Sequence, residues 1–244
     1  LWTDDKGTSL GSGDTLALSP TMVSPTDTVI CVATATDTGG GTGTDQTSVT
    51  VENTDPVVTS VSISPSSGVT TSSTLVCSGT ATDADGETPT LTYAWTDPSG
   101  NNLGTTDTLT LTPTDISPRE DVTCTVSATD GFGGTNSSST SVTVENTDPK
   151  VDSVSITPNT GVTTSSTITC AATASDPDGE TPTISYEWLH GATVVGTGAS
   201  LNLRPSWVSP GDTLECSVTV NDTFGGSDTG SASVSVENTA PIVT

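Results

Sequence analysis

Apolar and polar residues alternate along most of this chain, in short bursts. Val61 and Ile63 share one face, as do Leu75 and Cys77, then Leu91, Tyr93 and Trp95. Leu109 and Leu111 follow, then Val122, Cys124 and Val126, and last Val142 and Val144. A period of two puts every second side chain on one side of a strand, so each burst predicts a half-buried β-strand. Clusters of Gly, Pro, Asp and Asn separate the bursts and read as turns. The series then starts again with Val154 and Ile156, Ile168 and Cys170, Ile184, Tyr186 and Trp188, Leu201 and Leu203. Leu214, Cys216 and Val218, then Val234 and Val236, complete it. No stretch carries a helical period. The pattern predicts an all-β fold with six or seven short strands per repeat, arranged as an antiparallel two-sheet sandwich.

Longer strings recur in the same order. Val-Glu-Asn-Thr begins at Val51, Val144 and Val236; Gly68 to Thr74 matches Gly161 to Thr167, and Asp83 to Thr90 matches Asp176 to Thr183. The repeat is about 92–93 residues long, the size of a small independent domain rather than of a solenoid unit. The expected organisation is a partial repeat over residues 1–55, complete repeats over 56–148 and 149–240, and the start of a further repeat at 241–244. Trp2 aligns with Trp95 and Trp188, so the first repeat opens at its Trp-bearing strand. The chain reads as a window on a longer protein, with completion of the first repeat by strands of a neighbouring copy as the alternative.

Composition sharpens this picture. Hydrophobic residues make up 30% of the chain and aromatic ones 3%, so each repeat has a thin core of the kind that usually needs staples. The formal net charge is −25, and Lys6, Arg119, Lys150 and Arg204 are the only Lys or Arg residues. That balance argues against nucleic acid and anionic membrane surfaces as partners, and suits a salty or calcium-containing medium. No apolar run is long enough to insert in a membrane. His190, the single histidine, is expected at a strand end before Gly191 as a solvated turn residue, and cannot by itself form a triad or a zinc site. The many Ser and Thr residues lack an activating base, so the chain is not expected to be an enzyme. Trp207 stands where Met22 and Asp115 stand in the other repeats, and is expected to pack on Pro205 and Pro210. Asn136-Ser137-Ser138 and Asn221-Asp222-Thr223 match the acceptor pattern for N-glycosylation.

Cys77 and Cys124 flank Trp95, and Cys170 and Cys216 flank Trp188 at matching spacing. This order resembles the immunoglobulin fold, in which an inter-sheet bridge joins strands B and F and a Trp of strand C packs on it. The resemblance implies tandem immunoglobulin-like β-sandwiches with disulfides Cys77–Cys124 and Cys170–Cys216 over core residues Trp95 and Trp188. Cys31 aligns with Cys124 and Cys216. Disulfides imply an oxidising compartment, hence an extracellular or cell-surface location. Val122 and Leu214 stand where a tyrosine corner would need Tyr, so that signature is absent. The Tyr-x-Trp strands, the loops at Ala128-Thr129-Asp130 and Val220-Asn221-Asp222, and the closing Val-Glu-Asn-Thr look similar to PKD-like and immunoglobulin-like repeats of large bacterial and archaeal surface proteins. The Trp-Asp-Phe-Gly-Asp-Gly string typical of PKD domains does not occur.

In an immunoglobulin-like sandwich the N-terminal segment, the B–C loop and the F–G loop lie at one end. The resemblance therefore gathers Glu52, Asp55, Asp83, Asp85, Glu87 and Asp130 at one junction, and Glu145, Asp148, Asp176, Asp178, Glu180 and Asp222 at the next. Six like charges repel one another unless protonated or neutralised, and Ca²⁺ accepts such oxygen ligands. Calcium is the expected cofactor, in an arrangement similar to that of cadherins, although cadherin motifs are not matched residue for residue. The plainer explanation is that Asp-x-Asp-Gly is an ordinary turn sequence. The expected function is a structural segment of an extracellular surface fibre, filament or surface layer, whose partners are neighbouring repeats and other copies of itself. The alternative is an adhesin or spacer that binds carbohydrate or protein through the variable stretches Asp97 to Thr106 and His190 to Gly198.

Overall fold

A computed structural model describes residues 1–240; the expected start of a further repeat at 241–244 lies outside the described residues. Every regular element among the described residues is a strand, and none of these residues forms a helix long and apolar enough to cross a membrane. The chain divides into two compact units. One comprises Leu1–Ser66, Thr74–Leu109 and Asp121–Val142, the other Ser67–Ser73, Thr110–Glu120 and the described residues from Thr143 onward.

The first unit opens with β1 (Trp2–Asp4), β2 (Ser9–Gly11), β3 (Thr28–Thr36) and β4 (Thr42–Thr50), hydrogen-bonded in the order β2-β1-β3-β4. Here β3 and β4 form a hairpin paired from Thr28↔Thr50 to Thr36↔Thr42, and Trp2 sits opposite Cys31. The strands β5 (Val57–Ser64), β6 (Thr74–Thr82), β7 (Thr90–Thr96), β8 (Asn102–Gly104), β9 (Thr108–Thr110), β10 (Asp121–Thr129) and β11 (Thr135–Thr143) follow. They build two antiparallel sheets, β5-β6-β9 and β11-β10-β7-β8.

Cys77 of β6 and Cys124 of β10 join the sheets through a disulfide that closes a separation of 47 residues. Trp95 lies opposite Cys124 in the ladder, fully buried, and its indole N–H reaches the Thr106 carbonyl at 2.8 Å. The pleat explains the alternation: Val122, Cys124, Val126 and Ala128 of β10 are buried, and the residues between them face outward. Glycine makes the packing fit at two places. A Cβ on Gly79 would come within 2.7 Å of Val126, and one on Gly104 within 3.2 Å of Leu109, beside the Trp95 ring.

The second unit contains β12 (Lys150–Thr157), β13 (Thr167–Ser175), β14 (Thr183–His190), β15 (Thr193–Thr197), β16 (Ser200–Asn202), β17 (Thr213–Asn221) and β18 (Ser227–Ser235). Its sheets are β12-β13-β16 and β15-β14-β17-β18. Cys170 and Cys216 bridge them, Trp188 sits opposite Cys216, and Trp188 Nε1 donates to the Gly198 carbonyl at 3.0 Å. Ile168, Leu214, Val218 and Val220 fill the core around this pair. The fold is thus a tandem β-sandwich, as the alternation predicts, and it is immunoglobulin-like, as the resemblance carried by the Cys-Trp-Cys order implies.

Two expectations need correction or detail. His190 ends β14 just before the Gly191 turn, as expected of a strand end, but it is not a solvated turn residue: it is half-buried, paired with Thr193 and Leu214, and its Nε2 lies 3.3 Å from Asp212. The turn falls at Gly191, and the edge strand β15 pairs back onto β14 directly after it. Trp207 is half-buried and packs against the core of the third repeat.

Candidate metal centre

Each unit holds one complete set of junction acids. In the first, Asp83, Asp85 and Glu87 come from the loop between β6 and β7, and Asp130 from the turn between β10 and β11. The loop folds on itself because the Asp83 carboxylate accepts the Asp85 N–H at 2.8 Å, and Gly86 takes the positive φ that closes the turn. Asp85 then reaches the linker, accepting the Thr54 N–H at 2.7 Å. Asp130 accepts the N–H groups of Phe132 and Gly134 at 2.8 Å on one oxygen and the Asn53 amide at 2.9 Å on the other.

Gly134 leaves the space in which these groups meet. A Cβ there would collide with the Asp130 carboxylate and stand 2.6 Å from Asp55 Oδ1 and 2.8 Å from Asn53 Nδ2. One carboxylate oxygen each from Asp83, Asp85 and Glu87 lies within 4.8 Å of the others. Asp83 Oδ2, both oxygens of Glu87 and Asn53 Oδ1 are buried with no hydrogen-bond partner. Burial pushes the Glu87 carboxyl above its usual range, reinforced by the charges of Asp83 and Asp85. The Asn53 amide and the turn N–H groups hold Asp130 below its usual range.

The second unit repeats the plan. Asp178 N–H donates to Asp176, Thr147 N–H to Asp178 at 2.7 Å, and the Asn146 amide to Asp222 at 2.8 Å. Gly226 takes the place of Gly134, and a Cβ on it would collide with Asp222 and come within 2.5 Å of Asp148 Oδ1. Asp176, Glu180 and Asp222 offer oxygens within 4.8 Å of one another, and Asp176 Oδ2, Glu180 Oε2 and Asn146 Oδ1 are buried without partners. Burial and the charges of Asp178, Glu180 and Asp222 raise the Asp176 carboxyl. Burial also pushes the Asp222 carboxyl up, but the Asn146 amide and the N–H groups of Gly226, Gly225 and Phe224 outweigh it, and the group sits below its usual range.

The expected acids do not all converge. Glu145 turns away to accept the Gly68 N–H at 2.8 Å, and Glu237 does the same with Gly161 at 2.6 Å. Glu52 is exposed and lies outside the three-carboxylate group. Two residues that sequence reasoning passed over are Asn53 and Asn146, each bonded to one acid while its own carbonyl oxygen stays free. Their signal was present, since Asn occupies the same place in all three copies of Val-Glu-Asn-Thr.

The donor set fits a hard cation. Ca²⁺ takes six to eight oxygens at roughly 2.3–2.6 Å, and each group supplies orphaned carboxylate and amide oxygens without competing nitrogen or sulfur.

No family model matches the chain, and no curated protein does either. Among solved structures, the chain is similar to three N-terminal domains of the outer capsid protein Hoc of bacteriophage RB49, at 17% identity and TM-score 0.32, over 98% of this chain and 88% of that one. It is also similar to a Ca²⁺-stabilized ice-binding adhesin of an Antarctic bacterium, at 21% identity and TM-score 0.38, over 86% of this chain and 56% of that one. A third similarity is to the insect immune protein hemolin, at 15% identity and TM-score 0.38, over 90% and 58%. The chain spans little more than half of the adhesin and hemolin structures.

Proposed function

We propose that this chain is a structural segment of an extracellular surface fibre, filament or surface layer, stiffened at its junctions by Ca²⁺. Its repeats, over residues 1–55, 56–148 and 149–240, serve as disulfide-stapled beads, and its partners are neighbouring repeats and further copies. The reading assigns no catalysis to the chain.

One observation carries it. The same buried, unpartnered oxygens occur at equivalent places in two acidic groups: Asp83 Oδ2 with Asp176 Oδ2, Glu87 Oε2 with Glu180 Oε2, and Asn53 Oδ1 with Asn146 Oδ1. A buried carboxylate oxygen without a donor is costly, and repetition of that cost argues for a ligand that removes it. Asp83, Asp85 and Glu87 would hold one ion, and Asp176, Glu180 and Asp222 another. When bound, Ca²⁺ supplies positive charge that ties the loop to the turn or linker beside it.

Calorimetric titration with Ca²⁺, with thermal melts in calcium and in chelator, tests the metal. Saturable binding with a rise in Tm is expected; absence of both overturns it. Electron microscopy of the native surface material tests the assembly. Regular filaments or sheets are expected, and isolated flexible strings of beads would overturn the structural role.

A further inference from the structure

Of the two Asn-x-Ser/Thr triplets, one keeps its acceptor groups available on the folded chain. Asn136 lies second in β11 and is exposed, and its Oδ1 accepts the Val58 N–H at 3.1 Å. That contact uses the side-chain oxygen and leaves Nδ2, the atom that carries an N-linked sugar, without a partner among the described residues. Ser138, the hydroxyl residue of the triplet, is also exposed. In the third repeat Asp228 does the same structural work, accepting the Val151 N–H at 2.9 Å. An oxygen acceptor is therefore all that the strand contact requires. The amide nitrogen at position 136 adds nothing to it.

Asn221 is placed differently. The hydroxyl of its triplet, Thr223 Oγ1, donates to Glu180 Oε1 at 2.6 Å. The middle residue, Asp222, is wrapped by the N–H groups of Phe224, Gly225 and Gly226 and held by the Asn146 amide. An acceptor triplet must be drawn into an enzyme with its hydroxyl free, and here that would break the contacts that shape the acidic turn.

We propose that Asn136 is an N-glycosylation site and that Asn221 is not. The donor class is an oligosaccharide linked through pyrophosphate to a polyisoprenyl lipid. The Asn136 Nδ2–C1 bond forms as the C1–O bond to the pyrophosphate breaks. The pyrophosphate leaves with the bonding pair, the amide proton passes to a base of the transferase, and no oxidation or reduction occurs. Oδ1 stays a carbonyl oxygen throughout, so the Val58 contact survives the modification.

The test uses the chain purified from the cells that make it, beside a Ser138→Ala variant made in the same cells. Peptides bearing Asn136 and Asn221 are compared by mass spectrometry before and after an amidase that cleaves the sugar–asparagine bond. A sugar increment on the Asn136 peptide is expected, removed by the amidase, absent from Ser138→Ala, and absent from the Asn221 peptide. Ser138→Ala leaves Asn136 and its strand contact in place, so its Tm after amidase treatment should match that of the parent. An unmodified Asn136 peptide, or equal occupancy at Asn221, overturns the proposal.

Discussion

The two acidic groups share a motif but not a state of completion. At the second, Thr223 donates to Glu180, and Thr71 Oγ1 donates to Asp178 at 2.7 Å, leaving Asp178 only 4% exposed. At the first, Gly131 occupies the place of Thr223, and both Glu87 oxygens are left without a donor. A cation adds to the contrast. Arg119 donates to the Phe224 carbonyl and lies 5.4 Å from the centroid of the Phe224 ring. Thr26 holds the same repeat position in the first unit, where the matching Phe132 is 43% exposed. Arg119 holds this place at φ 69°, a conformation that the third repeat gives to Gly211. The lesson is that one Asp-x-Asp-Gly turn can be partly satisfied by protein hydrogen bonds or left with more of its buried oxygens lacking a donor. On the proposed function, the first group would depend more heavily on the cation.

The largest effect should fall equally on both units and so provides the control. Replacing Cys77 or Cys170 by Ser removes an inter-sheet bridge, and each should cost about 2–5 kcal/mol in denaturant unfolding. A difference between them would mean that the cores, and not only the acid groups, are unequal. Next come Gly134→Ala and Gly226→Ala, which drive a methyl into the carboxylates of Asp130 and Asp222; a loss of about 1–3 kcal/mol is expected for overpacking of this kind. Calcium affinity, read by calorimetry, should fall in the same variants.

Glu87→Gln separates the two groups more finely. A carboxyl held above its unfolded value costs stability as pH rises past that unfolded value, and the cost is complete once pH passes the folded one. In chelator at neutral pH, Glu87→Gln should therefore raise Tm, and below the carboxylate range it should change nothing. In saturating Ca²⁺ the sign should reverse, because a ligand has been removed. Asp130 and Asp222 work in the opposite sense: their lowered values contribute stability above the unfolded pKa that is lost as pH falls through the folded one. Glu180→Gln should lower calcium affinity at the second group, read by calorimetry, and by less than Glu87→Gln does at the first, since Thr223 already serves Glu180. Introducing Gly131→Thr should bring the two groups closer. The smallest effect is expected from Arg119→Ala, about 0.5–1 kcal/mol from the cation–π contact, seen in the second unit alone by hydrogen exchange of the Phe224 turn.

Much of this was legible in the chain. The alternation at Val122, Cys124 and Val126 gives the pleat of β10 directly, and the repeated Cys-Trp-Cys order points to the bridge that Cys77 and Cys124 form. Glu145 was misjudged for a physical reason. It follows buried Val144 as the chain leaves β11, and alternation there sends its side chain back to Gly68 instead of on to the acids. The Arg119–Phe224 contact was illegible because it joins positions 105 residues apart, and no local pattern marks either as the other's partner. Asn53 and Asn146 escaped notice because an amide adds no charge to a search for carboxylates.

The loops Ser67–Ser73 and Thr110–Glu120 belong to the second repeat by sequence, yet cluster with the third. Pro113 lies where a Cβ on Gly179 would sit 2.9 Å away, and Thr71 reaches Asp178. A repeat that melts therefore strips contacts from its neighbour as well as from itself. In a long array such nearest-neighbour coupling makes unfolding spread from its point of origin, so that damage to one bead is felt as fraying of the next.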